Sequence, residues 1–110
     1  MRRHGYAVDI FSDGSSNEQL FEHDHRVGPV IHTRATGEVI TGMTNVPGYQ
    51  IFGMMRARDG TVTPTAVTQS SGYVTLPPAD HDRARAAATQ AAAALLSERM
   101  RYRAMFDQAR

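Results

Sequence analysis

The feature that most constrains the fold is a C-terminal stretch, Asp80 to Gln108, that contains neither glycine nor proline and is rich in alanine. Alanine is the strongest helix former, and glycine and proline are the residues that interrupt helices. Two prolines precede the stretch, and Asp80 or Asp82 is placed to cap the positive end of a helix. We therefore predict one helix over residues 80–108, about 43 Å long.

One side of this predicted helix carries a narrow apolar stripe. It consists of alanine as far as Ala92 and of bulkier side chains from Leu95 to Phe106. A compact domain of this length has a radius of gyration of only about 13 Å, so the far half of the helix should extend beyond the domain. We expect the alanine half to pack on the chain's own sheet. The far half either does the same or forms a homodimer interface, predicted to comprise Leu95, Leu96, Arg99, Met100, Tyr102 and Phe106.

The same half of the helix is basic, which raises nucleic-acid binding as an alternative function. The candidate contacts are Arg99, Arg101, Arg103 and Arg110. Glu98 and Asp107 dilute this patch, and the net charge of the chain is only +1. Because nucleic-acid affinity grows with the number of phosphates neutralised, the charge favours this alternative weakly. All twelve cations are arginine, a bias typical of GC-rich bacterial or phage coding sequence.

Residues 5–76 show the short apolar runs and turn signals of strands. Asp59-Gly60 indicates a hairpin, and Tyr49–Met55 is apolar on both faces, as expected for a central strand. Pro64 follows in a segment that we therefore place at an edge or bulge. Other predicted strands are Tyr6–Phe11, Val30–Arg34, Glu38–Thr41 and Tyr73–Leu76. The predicted fold is α+β: one domain, 1–110, with a mainly antiparallel sheet of short strands followed by one long alanine-rich helix.

Two segments of the sheet region carry signals other than those of a strand. Ser15 and Glu18 match a capping box, which favours a short helix through Phe21 over the rival strand at Gln19–Val27. Gly28-Pro29 is interpreted as a break between elements.

The only cluster with metal-ligand character consists of His23, His25 and His32. Imidazole is a common zinc ligand, so a weak metal or small-ligand site near these residues is a further alternative. On a strand, His23 and His25 would share a face, whereas on a helix they would diverge. Without a nucleophile or a phosphate-binding loop nearby, we do not expect an enzyme, and we expect no cofactor.

The chain has no cysteine, which excludes disulfides and thiol chemistry. No apolar run approaches the length of a membrane span, and the first twenty residues lack a signal-peptide pattern. We therefore expect a cytoplasmic protein. The function predicted from these features is a non-catalytic protein-interaction module: a small, self-associating accessory or inhibitor-type protein that acts through a protein surface.

Overall fold

The computed structural model describes residues 5–108, except for the side chains of residue 102 and of residues 105–108. This part of the chain forms a seven-stranded antiparallel sheet followed by a 3-10 turn (Pro78–Asp80) and one long helix. The strands are β1 (Gly5–Ile10), β2 (Ser16–Glu22), β3 (His25–Thr33), β4 (Val39–Met43), β5 (Ile51–Arg56), β6 (Val62–Thr68) and β7 (Gly72–Thr75), and the helix is α1 (His81–Gln108). Each strand pairs with its neighbours in sequence. The predicted α+β fold is confirmed.

The β5–β6 hairpin forms where the Asp-Gly signal predicted it. The Ala57 N–H donates to the Thr61 carbonyl at 2.8 Å, and the Asp59 carboxylate accepts the Thr61 N–H at 2.9 Å. Gly60 has a φ of 93°, a backbone conformation that only glycine adopts without strain. The turn chemistry of the sequence therefore fixes the register of the central strands.

The helix predicted from Ser15 to Phe21 is wrong, because this segment is strand β2. The Asp13 carboxylate accepts both the N–H and the hydroxyl of Ser15, at 2.9 and 2.6 Å, so these residues form a turn rather than a helix cap. The rival strand interpretation has the correct type of structure. β2 pairs along its length with β1, and tertiary pairing overrides the local capping pattern.

Two predictions about proline are also wrong. Gly28-Pro29 lies inside β3 rather than between elements, and the pairing of β2 with β3 shifts register there. Gly28 has a φ of 52°, and a bulge is a position at which a strand accepts proline. Pro64 lies in β6, an inner strand. The Pro64 carbonyl accepts the N–H of Leu76 at 3.1 Å, and Leu76 lies just after the end of β7. Because no residue of β7 pairs with Pro64, its missing N–H leaves no carbonyl of that strand without a donor.

The two faces of the sheet differ in what covers them. We call the face under α1 the helix face and the opposite one the inner face. Gly42 and Gly53 pair at the centre of the inner face, and a Cβ atom at either position would overlap the backbone of the neighbouring strand. The strands therefore approach unusually closely there, and only glycine fits. Val30 and Ile40 are buried on this face.

The helix crosses the sheet from β7 towards β1. Near its start, Ala84 and Ala87 pack on Phe52 and Ala66 together with Leu76. These alanines allow the helix backbone to approach the sheet closely, as the sequence predicted for this half of the stripe. Beyond Arg99, the described side chains of α1 are exposed: Met100, Arg101, Arg103 and Ala104. Among the described helical residues, no segment has the length and apolarity that crossing a membrane requires.

Candidate functional site

The side chains of the helix face form three parallel rows across the strands. The row under α1 contains Pro29, Met43, Phe52, Ala66 and Val74, which are paired in register from β3 to β7. Next to it lies a middle row, Val8, Glu18, Ile31, Thr41, Met54 and Pro64. The outer row is Ile10, Ser16, Thr33, Val39, Arg56 and Val62. α1 packs on the first row and binds Glu18 of the middle row through Arg99, and Met54 packs against the core beneath the helix. Among the described residues, the outer row and the rest of the middle row have no covering element.

These two rows form the floor of a groove that runs beside α1, with a volume of about 960 Å³. The wall of the groove is one side of the helix, made of Arg85, Ala88, Thr89, Ala92, Leu96 and Arg99. Apolar side chains make up just over half of the described residues of its floor, beside serine, threonine and charged ones. Large apolar side chains are exposed around it: Ile10 is 79% accessible to solvent, and Val8, Val62 and Leu96 are exposed as well. These exposed apolar side chains lie on β1 and β6, at the two ends of the groove, and on α1, which forms its wall.

A charged cluster anchors α1 at the β1–β2 end of the groove. The Arg99 guanidinium donates to both carboxylate oxygens of Glu18, with Nε at 2.8 Å from Oε1. The hydroxyl of Tyr6 donates to the same Oε1. Bidentate arginine–carboxylate pairs combine charge with fixed geometry and are among the stronger polar contacts in proteins. We call these three residues the Glu18 clamp.

The clamp changes the protonation chemistry of its members. Burial disfavours the charged form of Glu18, but the hydrogen bonds from Arg99 and Tyr6 outweigh burial and hold the pKa of the carboxyl below its usual value. Burial, together with the hydrogen bond to the Glu18 carboxylate, raises the pKa of Tyr6 to about 12. The hydrogen bond to Glu18 raises the pKa of Arg99. The clamp is therefore a fixed ion pair at neutral pH, which suits it to anchoring a helix rather than to proton transfer.

The remaining charges of the groove are positive. Among the described side chains, three arginines line it, Arg56, Arg85 and Arg99, against the single carboxylate of Glu18. Arg85 pairs with Asp82 at 2.8 Å on the exposed helix surface, a kind of pair that contributes little. Arg56 forms no ion pair with any side chain in the described part of the chain. The groove thus combines a floor that is just over half apolar with an excess of positive charge.

A second concavity of about 650 Å³ lies on the inner face. His32 and Asn17 are hydrogen-bonded within it, and burial, followed by the positive charge of Arg34, lowers the pKa of His32. The guanidinium of Arg34 lies 4.4 Å from the centre of the Tyr73 ring, which joins the β3–β4 turn to β7. Nearby, the buried Gln19 donates to Asp9 at 3.1 Å, while its Oε1 has no hydrogen-bond partner among the described residues.

The fold separates the three histidines that were predicted as weak metal candidates. His23 lies in the β2–β3 turn with a φ of 50°, His25 begins β3, and His32 binds Asn17. Within the described residues, no group of three or more histidine, cysteine, aspartate or glutamate side chains is arranged to hold a metal ion. The sequence proximity of these histidines therefore does not translate into a ligand set.

The residues predicted to form a homodimer interface fall into four groups. Leu95 is 0% accessible and belongs to the chain's own core, so its side chain is not available to a partner. Arg99 binds Glu18 of its own sheet, whereas Leu96 and Met100 are exposed. The side chains of Tyr102 and Phe106 lie outside the described set. The interface itself stays a prediction, with Leu96 and Met100 as its described exposed members.

The arginines predicted to contact nucleic acid are partly engaged within the chain. Arg99 is held in the Glu18 clamp, and Arg101 pairs with Glu98 at 3.0 Å. Arg103 is exposed, and Arg110 lies outside the described residues. The Glu18 clamp engages Arg99, whereas the exposed helix-surface pair of Arg101 contributes little, so nucleic-acid binding stays a prediction.

Sequence reasoning missed the groove, although a signal for it was present. Val8, Ile31, Val39 and Val62 occupy alternating strand positions that register places on one face. The period-two pattern predicts a buried face, but only the path of α1 determines which half of that face stays open. Comparisons with protein-family models, with curated proteins and with solved structures gave no match.

Proposed function

We propose that this protein is a non-catalytic protein-interaction module that docks a partner protein in the groove beside α1. The observation that carries the proposal is the uncovered half of the helix face. Its middle and outer rows are largely open and present exposed valine and isoleucine side chains, and Leu96 is exposed on the helix wall beside them. Protein interfaces combine apolar and polar side chains, and so does the lining of this groove.

The shape of the groove supports a macromolecular partner better than a small substrate. Its floor extends from Val8 on β1 to Val62 on β6, a span of five strand spacings, or about 24 Å. Enclosed sites for small molecules usually surround most of the ligand, whereas this groove is open along its length. The fixed ion pair at its end offers no group poised for acid–base chemistry.

The experiment that tests the proposal compares two tryptophan substitutions on neighbouring helix positions. Thr89 lines the groove, while Gln90 is exposed and is not part of it. Thr89→Trp should fill the groove and abolish capture of a partner from the native host, whereas wild type and Gln90→Trp should retain the same partner. The captured protein, once purified, should bind wild type and fail to bind Thr89→Trp in solution. Indistinguishable capture by all three proteins would contradict docking in the groove.

We further propose self-association through the exposed far end of α1. Met100 is 71% accessible to solvent and follows Arg99, the residue that binds α1 to Glu18 of the sheet. Burying one such side chain contributes roughly 1.5–3 kcal/mol, and two-fold symmetry doubles the contribution. Light scattering should give twice the monomer mass for wild type and for Met100→Leu, and the monomer mass for Met100→Asp. A monomeric wild type at micromolar concentration would end this proposal without affecting the groove.

A further inference from the structure

The dimensions of the groove match one α-helix. Adjacent side chains on one face of a strand are about 6.6 Å apart, so two largely open rows form a band close to the helix diameter of about 10 Å. The span of about 24 Å from β1 to β6 corresponds to about 16 helical residues. A helix laid in this band would lie parallel to α1 and complete the second layer of the domain, as layered folds require.

The wall of the groove also suits a helix. Ala88 and Ala92 present small side chains along the centre of the wall. Helix axes approach to about 8–10 Å, and small side chains at the contact allow the closer distances. The apolar side chains of the floor, including Ile31 and Met54, would receive the apolar stripe of the incoming helix.

The charge of the groove identifies the chemistry of that helix. Arg56 lies in the outer row and Arg85 on the helix wall, so cations border the band on both sides. Glu18, the carboxylate that lines the groove, is already bound by Arg99. An incoming helix with glutamate or aspartate on its two flanks would place carboxylates opposite both arginines.

The same charges argue against a second copy of this chain as the occupant. In a two-fold pair of antiparallel α1 helices centred near Ala92, Arg85 of one copy would face Arg99 of the other. The chain's own helix is basic, with six arginines against four acids from Asp80 to Arg110. Like charges across an interface cost affinity, so the groove disfavours this helix.

We propose that the groove binds an acidic amphipathic helix of a different protein, laid alongside α1; this inference rests on the proposed docking function and specifies the partner. The probe is a synthetic 16-residue helical peptide with apolar residues at i, i+3, i+4 and i+7 and glutamate on both flanks, a length of about 24 Å. Its counterpart carries lysine in place of every glutamate. Binding of both to the full chain is measured by fluorescence anisotropy.

Charge reversal gives the sharpest variant. Arg56→Glu should weaken binding of the glutamate peptide about fivefold or more and strengthen binding of the lysine peptide. Arg58→Glu is the matched control, because Arg58 does not line the groove, and it should leave both affinities unchanged. Thr89→Trp should abolish binding of the glutamate peptide, and added salt should weaken it.

The outcomes separate this inference from the function on which it rests. Equal affinity for the two peptides, or a glutamate peptide insensitive to Arg56→Glu, would overturn the acidic chemistry. Equal binding of a proline-interrupted glutamate peptide would overturn the helical form. If the glutamate peptide does not bind while Thr89→Trp still abolishes capture of the native partner, docking stands and the acidic helix is rejected. A homodimer abolished by Thr89→Trp would instead identify a second copy as the occupant.

Discussion

Replacing Glu18 with alanine tests whether the Glu18 clamp anchors the far half of α1. The Glu18 side chain is 13% exposed and that of Arg99 is 49% exposed, so the pair is neither buried nor fully solvated. Hydrogen bonds to charged groups contribute about 1.5–3 kcal/mol when buried, and exposed ion pairs about 0–1 kcal/mol. After the substitution, the half-exposed Arg99 side chain can rotate into the solvent, so no charge is left buried without a partner. We expect Glu18→Ala to lower the free energy of unfolding by about 1.5 kcal/mol.

The matched control is Glu98→Ala, which removes the helix-surface pair with Arg101. That pair joins positions three residues apart and should contribute at most about 0.5 kcal/mol. Urea denaturation gives both free energies, and hydrogen exchange should show faster exchange beyond Leu95 in Glu18→Ala only. Equal destabilisation by the two substitutions, with unchanged exchange at the helix end, would refute the anchoring role.

The pKa of Glu18 gives the same prediction a dependence on pH. The folded state holds this pKa below the ordinary value of 4.5, so the clamp's contribution is full above that pH. It is lost as the pH falls through the folded pKa and the carboxylate is protonated. The difference in stability between wild type and Glu18→Ala should therefore shrink in acid.

Three further predictions concern other parts of the molecule. Gly53→Ala should lower the free energy of unfolding by about 3 kcal/mol, because the new Cβ would overlap a carbonyl of β4. Gly60→Ala meets no atom and should lower it by about 1 kcal/mol, through the φ of 93° alone, and urea denaturation measures both changes. Ultraviolet titration should show one tyrosine with a pKa of about 12, and this titration should be absent in Tyr6→Phe. The contribution of Tyr6 to the free energy of unfolding should decline between pH 10 and 12. Leu95→Ala should cost about 2–5 kcal/mol, and Leu96→Ala less than about 1 kcal/mol, by thermal denaturation.

The elements predicted correctly are those whose signals are local. The Asp59-Gly60 turn depends on four consecutive residues, and α1 depends on a long run free of glycine and proline. The alternation of Tyr49–Met55 placed Phe52 and Met54 on one face, and register confirms it. In such segments the local preference and the global fold agree, which is the usual condition for a foldable sequence.

The elements that were predicted wrongly depend on contacts distant in sequence. Ser15 and Glu18 have the spacing of a capping box, yet Glu18 binds Arg99, 81 positions away. Local spacing carries no information about such a partner. The groove is similar, because its existence depends on the angle at which α1 crosses the strands. That angle follows from packing of Ala84 and Ala87 on Phe52, which no short pattern specifies.

Arg99 links the helix to the sheet and bears on both proposed functions. In the sequence it is a charged residue among the bulky apolar side chains of the stripe on α1. In the structure, the described side chains of the helix pack on its own sheet only as far as Arg99. Leu95, which precedes Arg99, is buried, and Met100, which follows it, is exposed. By binding Glu18, Arg99 also keeps that carboxylate, the one among the described residues that line the groove, from pairing with Arg56 or Arg85. The same ion pair therefore separates the core from the free helix end and leaves the groove positively charged.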